Sequence, residues 1–277
     1  MGDKGDALTI KPAGEILSKE FQQAVDLLKG CVTPIFDVND RSEAELLGSA
    51  VLIRLGGSVF LCTAKHVIDG NRDSTLYISE ENVLISFESD FQTVGDHDVA
   101  VTQLHQEQID QLSNFTPLEE SSIATSKQTE ESCFIELVGF PETKNRKVHG
   151  QNKLKGQIHG FGGTLIEATA ERVRVKFSSK RAIDAKTRAI VKPPDPHGIS
   201  GGAMFGIAMN EASITGAPVP LLVGISTDLP DSKEMFGTNI AIVLAILRDA
   251  YGVDLPPRLN PVHIKTQPGT TQNSEGA

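Results

Sequence analysis

The chain has 277 residues, enough for one or two compact domains with a substantial core. Its formal net charge of −10 and pI of about 5.2 argue against a general nucleic-acid-binding protein, because contact with phosphates needs a basic surface. The opening residues MGDKGDALTIKPAGE lack the apolar stretch of a secretory signal, and no segment approaches the roughly 20 apolar residues of a membrane span. We therefore expect neither nucleic-acid nor membrane binding.

The first predicted element is a helix over Glu15–Lys29. Its apolar residues recur at the spacing of one helix face, and Gly30 is placed to end it: Leu17, Phe21, Ala24 and Leu28. Basic residues are scarce there, so the pattern favours a helix packed on the outside of the domain over a membrane-surface helix.

From Cys31 onward the pattern changes to short apolar runs broken by Gly, Asp and Asn. Such runs predict strands of a sandwich or barrel rather than βαβ units. They form two sets: CVTPIF, GSAVLIRLGG, SVFLCTA, TLYIS, NVLISF, DVAVTQL and CFIELVGFP, then TLIEAT, RVRVKF, RAIV, AMFGIAM, LLVGIST and TNIAI. Residues 242–251 predict a short C-terminal helix ended by Gly252, and the Pro-, Thr- and Gln-rich residues 253–277 predict a disordered tail.

The strongest chemical signal is the segment His197–Gly202, HGISGG. A nucleophilic serine must present its hydroxyl on a tight turn whose backbone N–H groups point at a developing oxyanion, and glycines permit that geometry. The segment therefore indicates Ser200 as a nucleophile. An ordinary Gly/Ser turn is the alternative when the motif is taken alone.

Two further segments supply the partners that a nucleophilic serine needs. In LCTAKHV an apolar strand ends on His66, which is placed to act as a general base. Asp98 opens the strand DVAV, where a buried carboxylate can hold the imidazole in the required tautomer. Asp96 is a rival for this role, and His97 between them is expected to face solvent.

These segments resemble the trypsin-like (chymotrypsin-fold) serine protease family. TAKHV, DVAV and GISGG follow the chain order His, Asp, Ser that separates this family from subtilisin-like enzymes and α/β-hydrolases. The segments GSAVLI, VGFP and LVGIS also resemble strands of the family, and GTNIAIVLAIL resembles the last strand and closing helix of the bacterial Htr-type branch. No PDZ-like domain follows, so Htr-type oligomeric regulation is not expected.

The resemblance implies an all-β fold of two six-stranded antiparallel barrels, with the N-terminal helix and the short C-terminal helix outside them. An arm of residues 1–30 would precede a protease domain of residues 31–252. The first barrel would span about 31–125 and the second about 126–252, and no cofactor or metal would be needed.

The resemblance also implies the site. Ser200 would be the nucleophile, His66 the general base and acid, and Asp98 the orienting carboxylate. The N–H groups of Gly198 and Ser200 would form the oxyanion hole. A substrate would pair as an added strand with the segment Ile225, Ser226 and Thr227.

Where the sequence departs from the family pattern, we expect differences in activation and in substrate preference. Ile199 stands where digestive relatives have an aspartate that pairs with a newly cut N-terminus, so activation by such a cut is not expected. Pro194 would form the floor of the P1 pocket, which argues against Arg/Lys preference and for a small or medium apolar P1 residue. The basic stretch 141–157 is expected to be a solvated hairpin tip, with an exosite for an acidic partner as the alternative.

The three cysteines, Cys31, Cys62 and Cys133, are odd in number, widely spaced and each within an apolar run. This pattern predicts buried free thiols in a reducing compartment, hence a cytoplasmic protein. A secreted chain without its signal peptide would look the same.

Two function classes remain open from the sequence. The first is an active serine endopeptidase that acts on protein or peptide substrates. The second is a trypsin-fold binding module, or a dormant effector protease that a regulatory partner aligns.

Overall fold

The computed structural model describes residues 26, 28–38, 44–69, 75–80, 83–87, 90–112, 114–142, 157–177, 182–183, 190–191, 195, 197–208, 219–227, 233–261 and 264. The predicted helix at Glu15–Lys29 lies almost wholly outside these residues. Asp26 and Leu28 are helical, and a 3-10 turn at Lys29–Cys31 follows them. Pro194 and nearly all of the basic stretch 141–157 also lie outside the described residues.

The first half of the chain forms a curled, antiparallel half-barrel of seven described strands. Their order in the sheet is β5-β4-β1-β2-β3-β7-β6. The strands are β1 (Val32–Val38), β2 (Ala44–Leu55), β3 (Ser58–Thr63), β4 (Leu76–Glu80), β5 (Val83–Phe87), β6 (Gln92–Thr93) and β7 (Ala100–Gln103).

The second half forms a closed six-stranded antiparallel barrel in the order β10-β15-β14-β13-β8-β9. The barrel strands are β8 (Ser132–Gly139), β9 (His159–Ala168), β10 (Arg172–Lys176), β13 (Ala203–Ala208), β14 (Leu221–Ser226) and β15 (Glu234–Asn239). Strands β11 (Ala182–Ile183) and β12 (Ile190–Val191) form a separate two-stranded sheet. The predicted all-β double barrel is confirmed. The first half differs in detail, since its described residues form a seven-stranded curled sheet rather than a six-stranded barrel.

Four α-helices and two 3-10 turns are present in the described part of the chain. The helices are α1 (Lys65–Asp69), α2 (Gln106–Gln111), α3 (Ser126–Glu130) and α4 (Ile240–Tyr251), and the 3-10 turns are Lys29–Cys31 and Glu120–Ser122. None of the described helices is long and apolar enough to cross a membrane.

Helix α4 confirms the predicted C-terminal helix. It begins two residues before the predicted start, because the Asn239 side chain caps it by accepting the Ala241 N–H at 3.0 Å. Gly252 ends it with a φ of 67°, in the left-handed conformation that glycine adopts at low cost.

The residues directly after α4 pack on the domain, so the prediction of a disordered tail does not hold for 253–261. Leu255 and Leu259 are buried in the main core. The Arg258 guanidinium donates hydrogen bonds to the carbonyl oxygens of Glu120 at 2.6 Å and Ile123 at 3.3 Å. The Pro-rich composition of this segment was misleading because two leucines bury enough apolar surface to fix it.

The core joins the two halves of the fold. One cluster fills the half-barrel and another fills the closed barrel. The third and largest lies between them and combines side chains of β2, β3 and β7 with those of β13, β14 and α4. Close packing across this junction leaves little freedom for residues at its surface.

The three cysteines are free, but they are not equally buried. Cys31 and Cys62 are at most 1% exposed, and burial raises the pKa of both thiols. Cys133 is exposed, so the prediction that all three are buried is wrong for this residue. It is the second residue of β8, and it and Phe134 are exposed at the barrel surface.

We expect a thiol reagent such as Ellman's reagent to modify Cys133 rapidly in the native protein. Cys31 and Cys62 should react only after denaturation, because a buried thiol with a raised pKa yields almost no thiolate. The measurement is a thiol titration before and after addition of guanidinium chloride. Cys133→Ser should remove the rapid phase. Rapid reaction of a second thiol would contradict this prediction.

Candidate active site

His66 is held at the junction by the short helix α1, which follows β3. The Val67 N–H bonds the Ala64 carbonyl at 3.1 Å, and the buried side chains of Val67 and Ile68 anchor the turn in the half-barrel core. The His66 side chain remains 50% exposed. The helix therefore presents an accessible imidazole on a rigid base.

Asp98 receives two hydrogen bonds from His66. Its Oδ2 lies 2.7 Å from His66 Nδ1, and its Oδ1 accepts the His66 backbone N–H at 2.9 Å. Asp96, the rival suggested by the sequence, is exposed and makes no such contact with His66. His97 is half-buried, and its carbonyl accepts the Val99 N–H at 2.9 Å. The hydrogen bond between Nδ1 and the ionised Asp98 Oδ2 requires that Nδ1 carries the proton. In a neutral His66, Nε2 is therefore the basic nitrogen.

The pKa of Asp98 reflects the same two hydrogen bonds. Burial would by itself raise this pKa, but the bonds and the charge interaction with His66 outweigh burial and lower it below its ordinary value. Asp98 therefore stays a carboxylate well into the acid range.

Ser200 lies in a tight turn, residues 197–202, which we term the serine turn. Two glycines, Gly198 and Gly201, adopt φ values of 90° and 87° in it. The Gly202 N–H closes the turn on the Ile199 carbonyl at 2.8 Å. An L side chain at either glycine would be strained, which explains why the sequence places glycines on both sides of Ser200.

The serine turn is fixed by one buried serine from each half of the fold. Ser49 of β2 donates its hydroxyl to the Gly198 carbonyl and its N–H to the Ser200 carbonyl, at 2.9 and 2.8 Å. Ser226 of β14 donates its hydroxyl to the Ile199 carbonyl at 2.8 Å. Neither serine was assigned this role from the sequence. A small polar residue inside an apolar strand, as in GSAVLI, was the available signal.

Gly48 places the serine turn beside the helix that carries His66. A Cβ on Gly48 would lie 2.8 Å from both the Ser200 carbonyl oxygen and the Val67 Cγ2. The serine turn and helix α1 therefore both pack against Gly48, where a larger side chain would not fit. Ser200 and the helix that carries His66 are thus neighbours in the fold, although they come from widely separated positions in the chain.

The Ser200 hydroxyl is directed away from the expected base. Its Oγ donates to the Thr227 carbonyl at 2.8 Å. The structure thus contains a bonded His66–Asp98 pair next to a serine whose hydroxyl is held by a neighbouring carbonyl.

Two backbone N–H groups of the serine turn are available to a ligand. The His197 carbonyl accepts the Glu142 N–H at 2.6 Å, so in a trans peptide the Gly198 N–H points the opposite way. Within the described residues, neither this N–H nor that of Ser200 has a hydrogen-bond acceptor. Adjacent unpaired N–H groups can stabilise a negatively charged oxygen.

The predicted substrate-pairing segment is only partly free. Ile225 lies in an interior strand and pairs with Ala203 of β13 on one side and Thr238 of β15 on the other. Both backbone groups of Ser226 bond the serine turn, its N–H to the Gly202 carbonyl and its carbonyl to the Gly201 N–H. Strand addition at Ile225 and Ser226 is therefore ruled out by the barrel register, which a single strand's sequence does not reveal.

Thr227 has one backbone group, its carbonyl, that a bound peptide could use. Its N–H bonds the Phe236 carbonyl at 2.9 Å, while its carbonyl accepts only the Ser200 hydroxyl among the described residues. A rotation of Ser200 toward His66 would release this carbonyl for an N–H donor from a bound peptide.

Comparison with solved structures gives the fold. A structure of the HtrA-type protease AlgW with tripeptide aligns with a TM-score of 0.50 and 15% sequence identity, over 84% of this chain and 64% of that one. The fold is that of the trypsin-like, HtrA-type proteases. A second AlgW structure aligns with a TM-score of 0.48 and 14% identity, over the same shares of the two chains. No protein-family model and no curated protein sequence matches the chain.

The trypsin-like fold explains why the site lies where it does. His66 and Asp98 are contributed by the first half of the fold and Ser200 by the second, so a site that contains all three lies between the two halves. The chain spans 64% of the length of the AlgW chain.

Proposed function

We propose that the chain is a serine endopeptidase that uses Ser200, His66 and Asp98 as a catalytic triad. The observation that carries the proposal is the pair of hydrogen bonds from His66 to Asp98. The nearby serine turn has two N–H groups without an acceptor among the described residues. These are the orienting carboxylate, the base and the oxyanion donors that acyl transfer requires.

In the proposed mechanism, Ser200 first rotates from the Thr227 carbonyl to His66 Nε2. This exchanges one hydrogen bond for another, so its net cost is small, about 1 kcal/mol or less. Nε2 takes the hydroxyl proton as Oγ attacks the peptide carbonyl carbon. Asp98, already ionised and bonded to Nδ1, stabilises the imidazolium that forms.

The tetrahedral oxygen would then accept hydrogen bonds from the Gly198 and Ser200 N–H groups. His66 would return the proton to the leaving amine as the C–N bond breaks, leaving an acyl-enzyme on Oγ. Water, deprotonated by the same imidazole, would hydrolyse the ester and regenerate Ser200. The released Thr227 carbonyl would hold the N–H of the residue before the scissile bond.

A dormant effector protease is the second candidate, and the hydrogen bond from Ser200 to Thr227 favours it. In this case a regulatory partner or the substrate itself would shift Ser200 toward His66. A trypsin-fold binding module without activity would keep the hydroxyl on Thr227. The apolar P1 preference, the role of Pro194 and the cytoplasmic location stay proposals that rest on the sequence. So do the two interpretations of the basic stretch 141–157, a solvated hairpin tip or an exosite for an acidic partner.

The environment of Ile199 supports activity without a proteolytic cut. Its side chain is wholly buried in the core of the closed barrel. It offers no charge to a new N-terminal ammonium, and burying an unpaired ammonium would be costly. Ser49 and Ser226 already fix the serine turn through the hydrogen bonds described above.

We therefore expect the full-length, uncut chain to react with a fluorophosphonate probe. The measurement is fluorescent labelling of the intact protein, its mass verified, with and without limited proteolysis. Equal labelling in both samples would support a constitutive protease. Labelling only after a cut near Cys31 would contradict this prediction, and labelling only in the presence of a partner would favour the dormant form.

A further inference from the structure

The outer face of the closed barrel carries an arginine close to the proposed triad. Strands β10 and β15 pair antiparallel along five positions, and they bury Val173, Val175 and Met235 inside the barrel. Because side chains alternate across a sheet, the intervening residues share the outer face. These are Arg172, Arg174, Lys176, Glu234, Phe236 and Thr238.

This outer face is continuous with the site. Arg172 pairs in register with Thr238, whose hydroxyl donates to the Asp98 backbone carbonyl at 3.2 Å. Phe236 lies two residues before Thr238 on the same face, and its carbonyl accepts the Thr227 N–H. Arg172 is thus linked to Asp98 through its strand partner Thr238. Phe236 is hydrogen-bonded to Thr227, whose carbonyl accepts the Ser200 hydroxyl.

The two arginines of this face differ in how their charge is compensated. Arg174 lies between two carboxylates, 3.4 Å from Glu167 and 3.3 Å from Glu234. Arg172 is exposed, and among the described residues no carboxylate lies within ion-pair distance of it. In a chain with 36 acidic and 26 basic residues, an uncompensated arginine beside the site is unexpected.

Phe236 holds the Arg172 guanidinium in place. The guanidinium carbon lies 5.0 Å above the ring centroid, within cation–π range. This contact places the guanidinium over the ring and uses none of its N–H donors. A guanidinium can bond a carboxylate through two parallel hydrogen bonds.

We propose that Arg172 and Phe236 form a subsite that selects peptides with an acidic side chain near the site, a proposal that rests on the proposed peptidase function. The carboxylate would bond the guanidinium fork, and the methylene groups of the acidic side chain would contact the ring. The subsite is open to solvent, so the discrimination of glutamate over glutamine is expected to be about fivefold to tenfold in affinity.

The test uses binding to Ser200→Ala, so that it does not depend on turnover. Two fluorescent peptide libraries are compared by anisotropy, one with Glu or Asp scanned through each position and one with Gln or Asn in their place. The acidic library should contain peptides that bind about fivefold to tenfold more tightly. Adding Arg172→Gln should remove this preference, and Arg172→Glu should reverse it, so that the acidic library binds more weakly than the amide library.

Arg174→Gln is the matched control, because it removes a cation from the same strand and face whose charge is already compensated. It should retain the acidic preference, and thermal denaturation should verify that each variant is folded. Equal binding of both libraries, no binding of either, or an equal loss in Arg174→Gln would overturn the subsite.

Failure of the subsite and failure of the peptidase proposal remain distinguishable. Fluorophosphonate labelling of Ser200 without an acidic preference would overturn the subsite alone. An acidic preference that depends on Arg172, in a chain that the probe does not label, would support the subsite and reject the peptidase.

Discussion

Ser200→Ala is expected to lower kcat for peptide hydrolysis by about 10⁶-fold, because the variant has no atom that can form the acyl-enzyme. His66→Ala should have nearly the same effect, since an unassisted serine hydroxyl is a weak nucleophile. The double variant should be no worse than either single variant, because the residues act as a unit. Initial rates on an internally quenched peptide library measure all three.

The fold should survive these changes. Ser200→Ala removes one hydrogen bond, to the Thr227 carbonyl, so its effect on the free energy of unfolding should be about 1 kcal/mol or less. Ser121→Ala, at an exposed serine of the 3-10 turn Glu120–Ser122, is the control and should keep wild-type rates. Wild-type hydrolysis by Ser200→Ala would refute the assignment of the nucleophile.

Asp98→Asn is expected to lower kcat by about 10⁴-fold with little change in the structure. In the wild type, Asp98 accepts from His66 Nδ1 and from the His66 backbone N–H. An asparagine can instead donate its amide N–H to Nδ1, which would move the imidazole proton to Nε2. His66 would then lack a basic nitrogen toward Ser200. Asp96→Asn is the matched control and should be nearly neutral, because Asp96 is exposed.

The same variant has a signature in the pH dependence of stability. The pKa of Asp98 is lowered in the folded protein, so the stability that it contributes is present above the ordinary carboxyl pKa of about 4. That contribution is lost as the pH falls through the lower, folded value. Between pH 7 and pH 3, Asp98→Asn should therefore lose less thermal stability than the wild type. An equal loss would indicate that the His66–Asp98 bonds do not depress this pKa in solution.

The sequence was sufficient for the fold class, and the assignment of His66, Asp98 and Ser200 as a triad stays a prediction. Strand alternation in RVRVKF and the run IVLAIL followed by Gly252 each correspond to an observed element. His66, Asp98 and Ser200 were recognisable because each has a distinctive local context, a strand end or a glycine-flanked turn.

Features that depend on neighbouring strands could not be predicted. Ile225 and Ser226 looked available to a substrate, but the register of β13, β14 and β15 occupies them. The hydroxyl direction of Ser200 depends on Thr227, and the fixation of its turn depends on Ser49, 151 positions earlier in the chain. Cys133 was misplaced because an apolar run does not tell which face of the strand meets solvent.

The central claim, that Ser200, His66 and Asp98 act as a catalytic triad in the native chain, is tested most directly by mapping the fluorophosphonate adduct. The native protein is treated with the probe, digested and examined by tandem mass spectrometry. The account predicts a single adduct on Ser200 that is absent in His66→Ala, although Ser200 is still present there. A folded chain without an adduct on Ser200, or an adduct that persists in His66→Ala, would contradict it.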